Sequence, residues 1–285
     1  MEKVIFRALK PRSTNSLIIK RTFFDQPRSG YPVVHDEKSE DLSLLQKVRK
    51  ARKEFKGECK LFIEEIRNAV FKSEIITDKT NIIWKFRETE KPLDQWIVNC
   101  DGDYHHGYST AKLELSTYGT GIFHGVLDTR IPKDGVTTNS GYCNITTVPK
   151  LKSFKRLDFY NWYQYNELIL RIRGDGRCYM LNILPEPLID ITRYLGFHYF
   201  VYTRGGPYWQ IVRIPFSKFL ASLKGEIYEN QFRMMAGSVK NFGITVADKK
   251  SGPFRLEIDY IAVSNNTNLF ETFAYEEYKV LRKRI

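Results

Sequence analysis

From Asn81 onward the chain alternates apolar and polar positions with a period of two. Ala111, Leu113 and Leu115 alternate with Lys112, Glu114 and Ser116, and Phe123, Gly125 and Leu127 follow a Thr-Gly turn. Gly141 opens the run YCNITTV, Tyr208 to Phe216 alternates again, and Phe254, Leu256, Ile258 and Tyr260 interleave with Arg255, Glu257 and Asp259. This spacing predicts half-buried strands, because successive side chains on a strand point to opposite faces. Leu168 to Leu184 (LILRIRGDGRCYMLNIL) places Gly174-Asp175-Gly176 between two apolar runs. Asp-Gly in that setting predicts a β-hairpin, with the glycines supplying positive φ and Arg173 and Arg177 pairing across the turn or with Asp175. Short strands separated by Gly, Pro and Asn turns, without intervening amphipathic helices, predict antiparallel sheets packed face to face.

Upstream the period changes. Leu42, Leu45, Val48, Ala51 and Phe55, then Cys59, Phe62, Ile63, Ile66, Ala69 and Val70, recur at three- and four-residue steps. They predict an amphipathic helix or helix pair from Ser39, with Gly57 as its weak point or break. The opposite face carries Lys47, Arg49, Lys50, Arg52, Lys53 and Lys56, a cationic surface suited to water, an acidic protein or anionic lipid. Between Glu2 and Asp25 there is no acid, while Lys3, Arg7, Lys10, Arg12, Lys20 and Arg21 are basic and Ser13, Thr14, Ser16 and Thr22 add hydroxyls. That composition predicts a mitochondrial import segment. The division expected is therefore 1–24 import segment, 25–79 linker and basic helical extension, 80–264 β-sandwich, and 265–285 C-terminal tail.

A chain of 285 residues with 42% hydrophobic and 27% charged residues supports one large β domain with helical additions. The formal net charge of +12 favours anionic partners. A matrix protein that still carries its presequence gives the same balance, so nucleic-acid binding rests on charge alone and is not assigned. Cys59, Cys100, Cys143 and Cys178 make no Cys-x-x-Cys pair, which excludes a clustered zinc motif and predicts free thiols. No run approaches the roughly 18 apolar residues of a spanning helix.

Asp101, Asp103, His105 and His106 form the densest polar cluster. Two carboxylates and two imidazoles suit a metal or acid–base chemistry, but Asp101-Gly102 reads as a turn and no second cluster joins it. Catalytic, metal and cofactor residues are therefore assigned to none. Phe197 to Trp209 gathers aromatics around Arg204-Gly205-Gly206-Pro207, and of these Arg204 and Tyr208 are expected at the surface. Arg204 and Tyr208, with Arg49, Lys50, Arg52 and Lys53, are the candidate partner-binding residues. Trp96 and Trp209 are expected in the core. A carbohydrate- or small-ligand-binding module is the alternative function.

Several segments, taken in order, resemble the complex I intermediate-associated protein family, a thirty-kilodalton mitochondrial assembly factor. They are Trp96-Ile-Val-x-x-Asp101 with Gly107-Tyr-Ser109, Phe123-x-Gly125-x-Leu127 and Gly141-Tyr142. Leu168 through Gly174-Asp175-Gly176-Arg177-x-Tyr179 follows, then Trp209-Gln-x-Val-x-Ile-Pro215-Phe216-x-x-Phe219, Phe242-Gly243-Ile244 and Gly252-Pro253-Phe254-x-Leu256-x-Ile258-Asp259. Asp103-Tyr-His-His departs from the family, which has small or polar residues there. The resemblance implies a mainly β, galactose-binding-like jelly-roll sandwich with an N-terminal helical extension. It also implies a non-catalytic, chaperone-like role in building respiratory complex I, without a cofactor. The implied location is the mitochondrial matrix, peripherally at the inner membrane. The implied partners are complex I subunits and membrane-arm intermediates, the signalling adaptor ECSIT and an acyl-CoA-dehydrogenase-like assembly factor.

Overall fold

The computed structural model describes residues 43–71, 80–87, 92–135, 137–187, 195–223 and 225–269. The import segment, the linker at 25–38, the helix start at Ser39–Leu42 and the tail from Phe270 lie outside the described residues. The chain divides into two units, a helix with residues 152–156 and a β body.

Among the described residues, the β body holds thirteen strands in two antiparallel sheets. The first sheet has six strands: β3 (Thr110–Leu115), β4 (Gly121–Leu127), β13 (Gly252–Ser264), β6 (Glu167–Arg173) and β9 (Gln210–Pro215) lie in that order, and β1 (Asn81–Lys85) pairs with β13. The second has seven, in the order β11 (Glu226–Ile227), β10 (Leu220–Leu223), β8 (Leu195–Tyr202), β7 (Cys178–Pro185), β12 (Val239–Val246), β5 (Cys143–Thr147) and β2 (Trp96–Cys100). Between β4 and β7 each successive strand changes sheet, and so do the steps β8 to β9, β9 to β10 and β12 to β13. Repeated crossing from one layer to the other is jelly-roll connectivity.

That connectivity overturns the hairpin expected at Gly174-Asp175-Gly176. β6 lies between β13 and β9, β7 lies between β12 and β8, and the two are in opposite sheets. Leu168, Leu170 and Ile172 of β6 and Tyr179, Leu181 and Ile183 of β7 all belong to one buried cluster. The core faces of the two runs meet across the interior from opposite layers. Positive φ is needed at Gly176 (+92°) and not at Gly174. Gly174 is required for a different reason: a Cβ there would overlap the Thr203 side chain. Arg173 and Arg177 do not pair across the turn. Arg173 bonds Glu257, and Arg177 bonds Asp248 at 2.9 Å.

The interior is aromatic. Trp84 stacks on Phe242 with centroids 5.4 Å apart, Trp96 on Phe86 at 5.9 Å, and Trp162 on Phe216 at 6.0 Å. Trp96 is buried as expected, but Trp209 is only half-buried and lies outside this core. The four cysteines are free thiols, and burial pushes Cys143 up to about 12.

Of the two forms expected, the helical unit takes the single one, the continuous helix α1 (Leu44–Phe71), and Gly57 does not break it. A mid-helix glycine costs roughly 1 kcal/mol relative to alanine, too little to end a helix anchored on both sides of it. Phe55 and Phe62 each sit 6.0 Å from the Phe154 ring. Glu58 accepts the Phe154 N–H at 2.5 Å. Glu65 accepts the Ser153 N–H at 2.5 Å and the Arg156 guanidinium at 2.5 Å, and these bonds, the Ser153 N–H first, hold its carboxyl below the usual range. The same contacts hold Phe154 and Lys155 at positive φ. Leu45, Val48, Leu61, Ile63 and Ile66 remain exposed alongside Arg49, Lys50, Arg52 and Lys53. Among the described residues, no helix is long and apolar enough to cross a membrane.

Candidate interaction site

The connection from β8 to β9 carries Arg204 and Tyr208. Thr203 begins it and fastens it to the β6–β7 connection: its N–H and hydroxyl both donate to the Arg177 carbonyl, at 3.1 and 2.8 Å. The Gly176 N–H donates back to the Thr203 hydroxyl at 3.1 Å. Gly206 takes φ +105°, and the Arg204 N–H is held by the Gln210 side chain at 2.8 Å. The two crossover loops thus brace each other, and the glycine–proline segment projects beyond them. Tyr208 is 80% exposed, and Arg204 and Tyr202 are exposed beside it.

Beneath this loop the outer face of the six-stranded sheet is a ladder of ion pairs. Arg173 bonds Glu257, Arg171 bonds Asp259, and Arg213 bonds Glu167 at 3.0 Å. The three carboxylates are almost wholly buried. Burial pushes the Glu257 pKa up, but hydrogen bonds from the Thr120 hydroxyl and the Arg173 guanidinium prevail and hold it below its ordinary value. The Trp209 ring covers two rungs, with the Arg171 and Arg173 guanidinium carbons 4.9 and 5.1 Å from its centroid. Trp209 is half-buried because it caps this outer layer. A cleft of about 500 Å³ lies here, lined by Tyr202, Arg204, Tyr208, Trp209, Gln210, Ile211, Val212 and Arg213.

The Asp–His cluster is built differently. Asp101 is fully buried, and its carboxylate accepts the Ser109 N–H at 3.0 Å and the Gly141 N–H at 2.6 Å. It ties three segments together, and Gly107 is required because a Cβ there would run into that carboxylate. Asp103 accepts the Cys100 N–H at 2.8 Å and closes a short 3-10 turn over Asp101–Tyr104. His105 and His106 are exposed. Both acids are engaged by backbone donors, so the four side chains do not converge. Among the described residues, no group of three or more His, Cys, Asp or Glu is placed to hold a metal. A cleft of about 710 Å³ beside them is lined by Cys100, Asp103, His105, Tyr108 and Pro132 among others. Within it the Cys100 thiol donates to the Asp103 carboxylate at 3.1 Å, and burial, with that carboxylate beside it, pushes the thiol pKa up and keeps it protonated.

A polar row on the seven-stranded sheet escaped sequence reasoning. Thr245 donates to Asn144 at 3.0 Å, and Asn182 donates to Thr245 at 2.8 Å. His198 Nδ1 meets Asn182 at 2.7 Å and its Nε2 meets the Ser222 hydroxyl at 2.6 Å, while burial lowers the His198 pKa. Each residue is a single polar position inside an apolar run, a visible signal. Their alignment depends on strand register, which the sequence does not carry. Each side chain of the row is hydrogen-bonded to its neighbour in it.

The family model described as "Complex I intermediate-associated protein 30" matches residues 84–258. The protein of Drosophila melanogaster described as "Complex I intermediate-associated protein 30, mitochondrial" is 40% identical over 267 residues, covering 92% of this chain and 88% of that one. The Mus musculus protein of the same description is 40% identical over 214 residues, covering 74% of this chain and 64% of its own length. Among solved structures, a family 11 carbohydrate-binding module of Clostridium thermocellum aligns over 67% of this chain and 97% of that one. Its identity is 14% and its TM-score 0.45. A family 30 module from the same organism aligns with 14% identity and TM-score 0.37, covering 68% and 97%. At those scores the two modules bear on neither ligand nor activity.

Proposed function

The chain belongs to the complex I intermediate-associated protein 30 family, and we propose that it serves complex I assembly by binding and transforms nothing itself. The relatives are mitochondrial by description. The finer reading is a matrix protein, peripherally associated with the inner membrane, that holds membrane-arm intermediates while further subunits join. ECSIT and the acyl-CoA-dehydrogenase-like factor are the assembly partners proposed with it.

One observation carries this reading. The ion-paired face under Trp209 is bordered by exposed Tyr202, Arg204 and Tyr208, while the acids of the Asp–His cluster are engaged by backbone donors. Tyrosine, tryptophan and arginine on a rigid base are the composition of interaction hot spots. On α1, exposed Leu45, Val48, Ile63 and Ile66 beside Arg49, Lys50, Arg52 and Lys53 suit an anionic membrane surface or an acidic protein face.

Cross-linking mass spectrometry on mitochondria tests the proposal. Cross-links from the Arg204–Tyr208 loop and from α1 to complex I membrane-arm subunits are expected, and Arg204→Glu with Tyr208→Ala removes the loop set. Cross-links confined to proteins outside complex I and its assembly machinery would contradict it.

A further inference from the structure

We propose that the free edge of β9 accepts an extended, carboxylate-bearing segment of a partner polypeptide as an additional strand of the six-stranded sheet. This rests on the binding role argued above and names the chemistry of its partner.

Strand β9 ends its sheet and, among the described residues, pairs only with β6. The phase of that pairing is fixed at one end, where the Phe216 N–H donates to the Asn166 carbonyl at 2.8 Å. Antiparallel pairs alternate between bonded and non-bonded. With the register Leu168↔Ile214, Leu170↔Val212 and Ile172↔Gln210, residues 210, 212 and 214 therefore turn their backbone groups to β6. Ile211 and Arg213 turn their N–H and C=O groups outward, and the row ends at Pro215, whose carbonyl opens the short 3-10 turn over Phe216–Lys218. Two donors and two acceptors in a row form a template for strand addition.

The surroundings specify the occupant. The 500 Å³ cleft borders this edge, and its eight lining residues include two arginines and no acid. Arg213 shares its charge with Glu167, whereas the Arg204 guanidinium has no ion-pair partner among the described residues. Ile211 is 59% exposed, and Tyr202 and Tyr208 present apolar ring faces with hydroxyl tips. A segment with small apolar side chains at alternate positions and a carboxylate opposite Arg204 satisfies all of these groups. The pairing of β9 with β6 runs without a bulge from Gln210 to Pro215, and its edge protection is confined to the Arg213 charge and the closing Pro215.

Hydrogen exchange on the full chain tests this, comparing the free protein with the same protein purified in complex with complex I assembly intermediates. The amides of Ile211 and Arg213 exchange freely in the isolated protein and slow at least about tenfold in the complex. Ile211→Pro removes an outward N–H without touching the β6 ladder, so thermal unfolding stays unchanged while retention of intermediates falls about tenfold. Ile211→Thr keeps the N–H and keeps binding. Equal exchange at both amides in free and bound protein, or full retention by Ile211→Pro, overturns the strand-addition proposal and leaves the assembly role standing. Failure of the wild-type chain to retain any intermediate overturns the assembly role instead. Protection already present in the isolated chain overturns an external partner. It assigns the edge to residues 270–285 if truncation after Leu269 abolishes it, and to a second copy if it rises with protein concentration.

Discussion

Asp101→Asn separates a structural carboxylate from a reactive one. Asp101 is 0% exposed, and its two oxygens each accept a backbone N–H, from Ser109 at 3.0 Å and Gly141 at 2.6 Å. Asparagine keeps the shape but turns one oxygen into an N–H donor, which must face another N–H. One buried amide is then unsatisfied, at about 1–3 kcal/mol, and the remaining bond loses its charge assistance, at about 1 kcal/mol. The expected loss is about 2–4 kcal/mol, read by urea denaturation as a lower midpoint with an unchanged slope. The main-chain bond from His106 N–H to the Asp101 carbonyl survives, so the fold persists. Asp103→Asn, which disturbs the part-buried bonds that an exposed side chain accepts from the Cys100 N–H and thiol, should cost less. If Asp101→Asn unfolded within about 0.5 kcal/mol of the wild type, the carboxylate would not be the knot described here.

Three further outcomes are expected. Gly174→Val should lower stability by about 3–5 kcal/mol in thermal unfolding, because its side chain displaces Thr203 and the bonds to Arg177 and Gly176; adding Thr203→Gly should recover part of it, and an unperturbed Gly174→Val would refute the close approach. Trp96→Ala should cost about 3–5 kcal/mol as a core deletion, whereas Trp209→Ala should cost only about 1–2 kcal/mol, since its ring caps two guanidiniums at the surface; equal losses in calorimetry would contradict that placement. The Glu257 carboxyl has a lower pKa folded than unfolded, so its stabilisation is complete above the ordinary glutamate value and fades as pH falls through the folded value. Glu257→Gln should therefore flatten the acid limb of the stability profile, and an unchanged limb would show that the pairing with Arg173 carries no protonation linkage.

Period-two patterning made the sheets legible, since Phe254, Leu256 and Ile258 are buried as their alternation requires. Partner choice between strands was not legible. Gly174-Asp175-Gly176 has the local chemistry of a hairpin, yet β6 is flanked by β13 and β9 and β7 by β12 and β8, partners whose choice is set by contacts far along the chain. Glu257 and Asp259 read as solvent-facing positions, but long-range pairing with Arg173 and Arg171 lets them sit nearly buried. Arg204 and Tyr208 were legible as exposed because a Gly-Gly-Pro loop has little means to bury them. Trp209 was misplaced because bulk alone does not distinguish a core ring from one lying over arginines. Whether Gly57 would break or only weaken α1 was not legible, because the contacts that hold the helix on either side of it come from residues 153–156, nearly a hundred residues downstream.

The binding role is tested most directly by depleting the protein in cells and separating mitochondrial complexes on native gels. Mature complex I should fall while membrane-arm intermediates accumulate, and re-expression of the wild-type chain should restore it. Complex I assembled at normal rate and amount without the protein would contradict the account.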